Sequence, residues 1–112
     1  MSLANTLTIG TRTYERISEG KWIDAASTAD EPNYLSIKST VRGDGESDYL
    51  VRFDDSVNSS DPTQKDPVLS YYTVIRGDLK TFNEAAIDAA LTRLDTFVQS
   101  TGTLTRILRG ER

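Results

Sequence analysis

The stretch that decides the fold of this chain reads Tyr34-Leu-Ser-Ile-Lys-Ser-Thr-Val-Arg42, followed after a short turn by Tyr49-Leu-Val-Arg-Phe-Asp54. Apolar and polar residues alternate in both runs, so that Leu35 and Ile37 face one side while the charged residues face the other, as in half-buried strands. Between the runs lies Gly43-Asp44-Gly45-Glu46, whose residues tolerate a tight turn. The stretch therefore predicts an antiparallel hairpin with one apolar and one solvated face.

A third alternating run, from Val68 to Phe82, is predicted to pair with this hairpin. Its period puts Tyr71, Thr73 and Ile75 on the apolar side. If the three strands share a sheet, their polar side chains converge on a single open surface of an otherwise acidic protein, and this surface is the candidate functional site. The basic residues predicted to meet there are Lys38, Arg42, Arg52, Arg76 and Lys80.

The sequence outside these runs predicts further strands and one long loop. The Thr-rich segment 6–18, with Gly10 at its turn, has the pattern of an N-terminal hairpin. Lys21-Trp-Ile-Asp24 follows as another strand, in which Trp22 is expected to be a packing residue. The segment from Asp55 to Pro67 is rich in Ser, Asn and Asp, and loops of this length tend to be functional or mobile.

The C-terminal part has helical periodicity. A helix is predicted to start at Thr81, which has capping-box spacing to Glu84, with Asn83 as an alternative cap. Gly102 is predicted to stop this helix, and a second short amphipathic helix follows. The apolar residues that recur at intervals of three and four are Ile87, Leu91, Leu94 and Val98 in the first helix, then Leu104, Ile107 and Leu108 in the second.

These elements indicate an α+β fold in one domain, residues 1–112. Within it we expect an N-terminal β-hairpin (1–20), a five-stranded antiparallel sheet with its long loop (21–81, loop 55–67) and a C-terminal part of two α-helices (82–112). A helix is about 10 Å across and strands lie about 4.8 Å apart, so one helix cannot cover five strands. A second copy that contributes its own helix would complete the cover, and joining the two sheets would remove an exposed edge. Packing therefore predicts a homodimer.

Composition excludes several classes of function. The chain has 112 residues, a formal net charge of -4, and neither cysteine nor histidine, which argues against disulfides, thiolate chemistry and structural zinc. It has no Gly-rich phosphate loop and no recognisable nucleophile motif, so we expect no catalysis, no cofactor, no metal and no small-molecule substrate. The start lacks the pattern of a signal peptide and no stretch approaches a membrane span, so we expect cytosolic synthesis and no membrane partner.

In the order and size of its elements, the chain resembles the coat proteins of single-stranded RNA bacteriophages, the leviviruses. The resemblance covers nearly the whole chain, from the N-terminal hairpin through a five-stranded antiparallel sheet to two C-terminal helices. The segments that carry it are Lys21-Trp-Ile-Asp24, Lys38-Ser-Thr-Val-Arg42, Tyr49-Leu-Val-Arg52, Asp66-Pro67-Val68 and Thr103-Leu-Thr-Arg-Ile-Leu-Arg-Gly-Glu111.

This resemblance implies an interlocked homodimer with a continuous ten-stranded sheet. Dimers of the family assemble into an icosahedral shell, which implies a place in the virion after synthesis in the cytoplasm of a bacterial host. The resemblance further implies that the open sheet face binds and packages single-stranded genomic RNA, including a hairpin whose recognition represses translation. The loop 55–67 would change shape between quasi-equivalent positions of the shell.

Carried over by position, the resemblance assigns RNA binding to seven residues of the sheet face. The basic residues can neutralise phosphates, Thr40 can hydrogen-bond a base or the backbone, Tyr72 can stack on an unpaired base, and Asp78 can accept from a base amino group. The full set is Lys38, Thr40, Arg42, Arg52, Tyr72, Arg76 and Asp78.

Two other interpretations of the same face stay open at this point. Basic residues on an exposed strand more often keep a protein soluble than bind nucleic acid. The face would also suit a small dimeric intracellular binding module that takes a peptide or an acidic ligand, and elution as a small dimer at all concentrations would favour that function.

Overall fold

A computed structural model describes residues 3–41, 46–78 and 81–111 of the chain. The chain divides into two compact units, Met1–Gly77 with the strands and Asp78–Arg112 with the helices, and the predicted α+β class is confirmed. The elements are β1 (Thr6–Ile9), β2 (Arg12–Ser18), β3 (Lys21–Asp24), β4 (Asn33–Val41), β5 (Ser47–Ser56), β6 (Val68–Gly77), α1 (Glu84–Val98) and α2 (Thr103–Leu108).

The strands form one antiparallel sheet in the order β1-β2-β3-β4-β5-β6. The predicted division into a separate hairpin and a five-stranded sheet is therefore wrong. Both edges of β3 are occupied, because Trp22 pairs with Arg16 of β2 on one side and with Leu35 of β4 on the other. The N-terminal hairpin is thus the first part of a six-stranded sheet.

The sheet curls strongly about its middle strands. The rings of Tyr14 on β2 and Phe53 on β5 lie 5.8 Å apart, centroid to centroid, although two strands separate them in the sheet. In a flat sheet, strands three positions apart would be about 14 Å from each other. We call the side on which these rings meet the concave face, defined by Tyr14, Trp22, Leu35, Val51 and Phe53, and the other side the open face.

The core of the sheet unit lies on the concave face. Tyr14, Trp22 and Leu35 are each only 1% exposed, and partly buried apolar residues of β1, β4 and β5 pack around them. The indole Nε1 of Trp22 donates to the carbonyl of Ala4 at 3.2 Å, and the Arg16 guanidinium carbon lies 4.5 Å from the centroid of the indole ring. The packing role predicted for Trp22 is confirmed.

At one end of the concave face, polar side chains form a network of hydrogen bonds and ion pairs around Arg12 and Asp55. Arg12 Nη1 donates to Asp55 Oδ1 at 2.7 Å and to the Tyr14 hydroxyl at 3.0 Å, and its Nε lies 3.8 Å from Oδ2 of the buried Asp24. The Tyr71 hydroxyl donates to Asp55 Oδ2 at 2.9 Å. The hydrogen bond with Asp55, then that with Tyr14, raises the pKa of Arg12. Burial, followed by the bond and charge of Asp55, raises the pKa of Tyr71 to about 12.

The turn between β2 and β3 requires glycine. Gly20 has a φ of +71°, and its carbonyl accepts from the Ile37 amide at 2.8 Å. A Cβ at this position would lie 2.6 Å from the Ile37 carbonyl oxygen. Glycine therefore allows this turn to approach β4 closely, at a backbone angle that other residues rarely adopt.

The long loop is slightly shorter than predicted. Asp55 pairs with Leu69 and Ser56 with Val68, so the strands continue to Ser56 and the loop covers 57–67. Its own polar groups shape it: the Asp66 carboxylate accepts from the Ser59 amide at 2.8 Å. Asp61 Oδ1 accepts from the hydroxyl and the amide of Thr63, and these two bonds lower the pKa of Asp61.

The first helix begins later than its predicted start at Thr81, whereas the second begins directly after Gly102, as predicted. Helix α1 starts at Glu84 with Asn83 as its N-cap, whose side chain accepts from the Ala86 amide at 2.8 Å. The start predicted at Thr81 is therefore wrong, and the alternative cap, Asn83, is confirmed. The Thr81 hydroxyl donates instead to Asp78 Oδ2 at 3.0 Å. The predicted second helix is present, but Gly102 is its left-handed N-cap, and α1 already ends at Val98. No residue of α1 or α2 is buried.

Candidate nucleic-acid interface

The register of β4, β5 and β6 fixes which side chains share the open face. Ser36 of β4 pairs with Arg52 of β5, which pairs with Tyr72 of β6. Residues that pair directly lie on the same face of a sheet, and every second residue along a strand returns to that face. The next two cross-strand rows are Lys38, Leu50 and Val74, then Thr40, Asp48 and Arg76.

Five of the seven predicted site residues therefore lie together on the open face. The alternation in the sequence placed them on one side, and the register confirms that placement, whereas their binding of RNA stays a prediction. Arg42 lies outside the described residues, as does Lys80. The five are Lys38, Thr40, Arg52, Tyr72 and Arg76.

Asp78 does not lie on the strand to which the sequence assigned it. Strand β6 ends at Gly77, whose φ of +153° suits glycine alone, and Asp78 lies outside the strand. The Asp78 carbonyl accepts from the amides of Thr81 and Phe82, both at 3.2 Å. The prediction that the strand continues past this point and carries Asp78 on the sheet face is therefore wrong.

Arg52 is held by neighbours on the open face. Its Nε donates to Asp54 Oδ1 at 3.0 Å and its Nη2 to Ser70 Oγ at 3.3 Å, while Ser70 Oγ donates to the same Asp54 oxygen at 2.5 Å. Burial acts to raise the pKa of Asp54, but the bonds from Ser70 and Arg52 and the nearby charges outweigh it, so the pKa lies below its usual value. Asp54 is therefore a carboxylate at neutral pH.

A second ion pair crosses from β5 to β6. Arg76 Nε lies 2.9 Å from Asp48 Oδ1, in the row that also contains Thr40. The arginine side chain is well exposed, whereas that of Asp48 is half-buried. Both arginines that the sequence singled out on the described part of this face thus have a carboxylate beside them.

The lysines of the open face differ from the arginines. Lys38 is exposed and, within the described ranges, forms no ion pair. Lys21 of β3 pairs with Ser36 and so adds a cation to the same face, with its Nζ 4.4 Å from the centroid of the Tyr34 ring. Lys21 was not among the residues predicted from the sequence. It could have been found, because Trp22 was expected to be buried and adjacent residues of a strand point to opposite faces, which puts Lys21 on the open face.

The open face combines exposed cations with an exposed aromatic ring, which are side chains of the kinds that contact phosphates and stack on bases. Tyr72 is 64% exposed beside Arg52, which is the setting in which an aromatic ring supports an unpaired base. Among the described residues, no group of carboxylates is arranged to hold a metal ion. None of the described helices has the length and apolar character needed to cross a membrane.

No protein-family model and no curated protein matches the sequence. Among solved structures, the chain is similar to one in the virus-like particle of Wenzhou levi-like virus 1, with a TM-score of 0.81 over 99% of this chain and 100% of that chain, at 16% sequence identity. It is also similar to one in the virus-like particle of bacteriophage AVE019, with a TM-score of 0.55 over 91% and 90% of the two chains, at 16% identity. Identity at this level shows a shared fold and nothing further, and the predicted resemblance is confirmed at the level of that fold.

Proposed function

We propose that this chain is a structural capsid protein that assembles from homodimers into a closed shell around single-stranded RNA, without catalysis. The observation that carries the proposal is the similarity to a chain of a virus-like particle at a TM-score of 0.81, with nearly complete coverage of both chains. Because the likeness extends over nearly the whole length of both chains, it does not depend on one common motif. The expected location is the virion, after synthesis in a bacterial host.

Dimerisation is supported by the exposed apolar residues of β6 and α1. Strand β6 is a ten-residue edge strand, and Leu69 on it is 65% exposed. On α1, Leu94 is 52% and Phe97 is 62% exposed. Long uncovered edges and apolar patches of this kind are typical of interfaces. Two six-stranded sheets joined at β6 would hold twelve strands, rather than the ten expected from five strands per chain.

RNA binding is assigned to the open face. Lys38, Arg52 and Arg76 would contact phosphates, together with Arg42, and Tyr72 would stack on an unpaired base. Recognition of one hairpin, with repression of translation, would require base contacts, for which Thr40 and Tyr72 are the candidates. Because the remaining contacts are to phosphates, we expect packaging to depend on salt and only weakly on sequence.

Electron microscopy of the purified recombinant protein, with and without nuclease, tests assembly. We expect closed particles that contain RNA protected from the nuclease. Soluble monomers without nucleic acid would contradict the proposal, and a small dimer at every concentration would favour a peptide-binding or acidic-ligand module instead.

A triple substitution of Lys38, Arg42 and Arg52 by alanine tests the RNA site. We expect the encapsidated RNA to fall several-fold while the dimer stays folded, because exposed positions rarely contribute much to stability. The matched control keeps the charges by exchanging lysine and arginine at the same three positions, and it should retain its RNA. Unchanged RNA content in the alanine variant would refute the site assignment. The readout is the ratio of absorbance at the nucleic-acid and protein maxima of purified particles.

A further inference from the structure

The open face pairs its arginines with carboxylates of the same face. Arg52 Nε lies 3.0 Å from Asp54 Oδ1, and Arg76 Nε lies 2.9 Å from Asp48 Oδ1. All four side chains retain some exposure, and partly exposed ion pairs of this kind contribute little to stability. The stability of the fold therefore does not explain why two carboxylates lie on a face that would bind a polyanion.

Hydrogen bonds to Asp54 and Ser70 hold the Arg52 guanidinium beside these neighbours on the open face. One carboxylate oxygen accepts from both Arg52 Nε and Ser70 Oγ, and Ser70 Oγ also accepts from Arg52 Nη2. A phosphate that contacts this guanidinium must either displace the carboxylate or bind beside it. In both cases it meets a negative charge within a few ångströms.

We propose that Asp54 and Asp48 restrain RNA binding by the open face, because each neutralises the arginine that a phosphate has to reach; this inference rests on the proposed function. The restraint leaves Lys38 as a cation without an ion pair among the described residues, and Lys21 beside Tyr34. A single dimer then binds a short RNA weakly. A shell binds a long RNA well, because many such faces act on one strand.

The restraint predicts a specific non-additivity between Arg52 and Asp54. In the wild-type chain Arg52 is held by Asp54, so Arg52→Ala removes little direct contact with phosphate and acts mainly by leaving Asp54 without its counter-charge. We expect Asp54→Asn alone to raise the affinity for RNA. In that background, Arg52→Ala should abolish most of this gain, because Arg52 is then the residue that contacts the phosphate. Coupling of this sign between two residues in contact is what a double-mutant cycle measures.

The test is the fluorescence anisotropy of a short fluorescein-labelled oligouridylate titrated with wild-type, Asp54→Asn and Asp48→Asn proteins at several salt concentrations. We expect each variant to bind about three- to tenfold more tightly, as removal of a nearby like charge allows. The salt dependence should steepen by about 0.7 in log-log slope for each additional phosphate that the protein neutralises. The matched control is Asp30→Asn, in the loop between β3 and β4, which changes the net charge equally and should alter affinity by less than about twofold.

The outcomes separate this inference from the proposed function. If Asp54→Asn binds no more tightly than Asp30→Asn while the wild type binds, the restraint is refuted and RNA binding stands. Weaker binding by Asp54→Asn would show that the carboxylate orients Arg52, which also refutes the restraint. If neither the wild type nor any variant binds the RNA, RNA binding itself is refuted. Circular dichroism checks the folding of each variant, and Asp48→Asn tests the same restraint at a separate ion pair.

Discussion

The concave-face residues of β2, β3 and β4 differ from the apolar residues of β6 and α1 in how completely one chain buries them. Tyr14, Trp22 and Leu35 are each 1% exposed, whereas Leu69 on β6 and Phe97 on α1 are 65% and 62% exposed. The curl of the sheet closes the first region within a single chain. The second region contains comparable side chains that one copy leaves in water. If the chain dimerises as proposed, the second copy is expected to cover these exposed side chains.

The largest expected effect tests the closed region. Leu35→Ala should lower the free energy of unfolding by about 2 to 5 kcal/mol, because it removes a fully buried side chain from between Trp22 and Phe53 and leaves a cavity. Chemical denaturation followed by circular dichroism measures it. A loss below about 1 kcal/mol would show that this region is not the core of the folded state.

The next effect tests the exposed region. Phe97→Ala should weaken association by about 2 kcal/mol, the loss expected when a large apolar side chain leaves an interface. Sedimentation velocity over a dilution series measures it, with Thr96→Ala as a neighbouring exposed control on the same helix. If Phe97→Ala and Thr96→Ala associate equally well, the exposed face of α1 is not part of the interface.

Substitutions in two glycine turns test how closely the turn between β2 and β3 approaches β4. Gly20→Ala and Gly10→Ala both place a side chain at positive φ, which costs roughly 1 to 2 kcal/mol at either site. Only at Gly20 does the new Cβ lie 2.6 Å from a carbonyl oxygen, which should add about 1 to 3 kcal/mol. Equal melting temperatures for the two variants would contradict the close approach of this turn to β4.

The smallest effect tests the hydrogen bond from Tyr71 of β6 to Asp55 of β5, which in turn accepts from Arg12 of β2. Burial and Asp55 raise the pKa of Tyr71 from 10.0 to about 12, so its contribution to stability is complete below about pH 10 and is lost as the pH rises through about 12. The stability difference between wild type and Tyr71→Phe should therefore shrink over that interval. A difference that stays constant from pH 9 to 12 would exclude the hydrogen bond.

The faces of the central strands could be predicted from the sequence because they depend on local alternation. Leu35, Ile37, Lys38 and Arg52 point where the period of two places them. The start of α1 was less predictable because Thr81 and Asn83 are both good caps. Asn83 caps the helix, while the Thr81 hydroxyl donates to the Asp78 carboxylate.

The contacts between distant residues could not be predicted in the same way. Arg12 meets Asp55 across 43 positions, and Arg76 meets Asp48 across 28, so both contacts depend on the curl and the register of the whole sheet. The basic open face was therefore predicted without the carboxylates that accompany it. Asp54 was the exception, because it lies two residues after Arg52 and on the same side of the strand.

Native mass spectrometry of the recombinant protein, under solution conditions that keep shells disassembled, tests most directly whether a second copy completes the chain. We predict dimers in a narrow, low charge-state distribution, and any monomer only in the high charge states of an unfolded chain. A monomer that remains compact and folded at the lowest concentrations would contradict the claim that β6 and α1 require a partner.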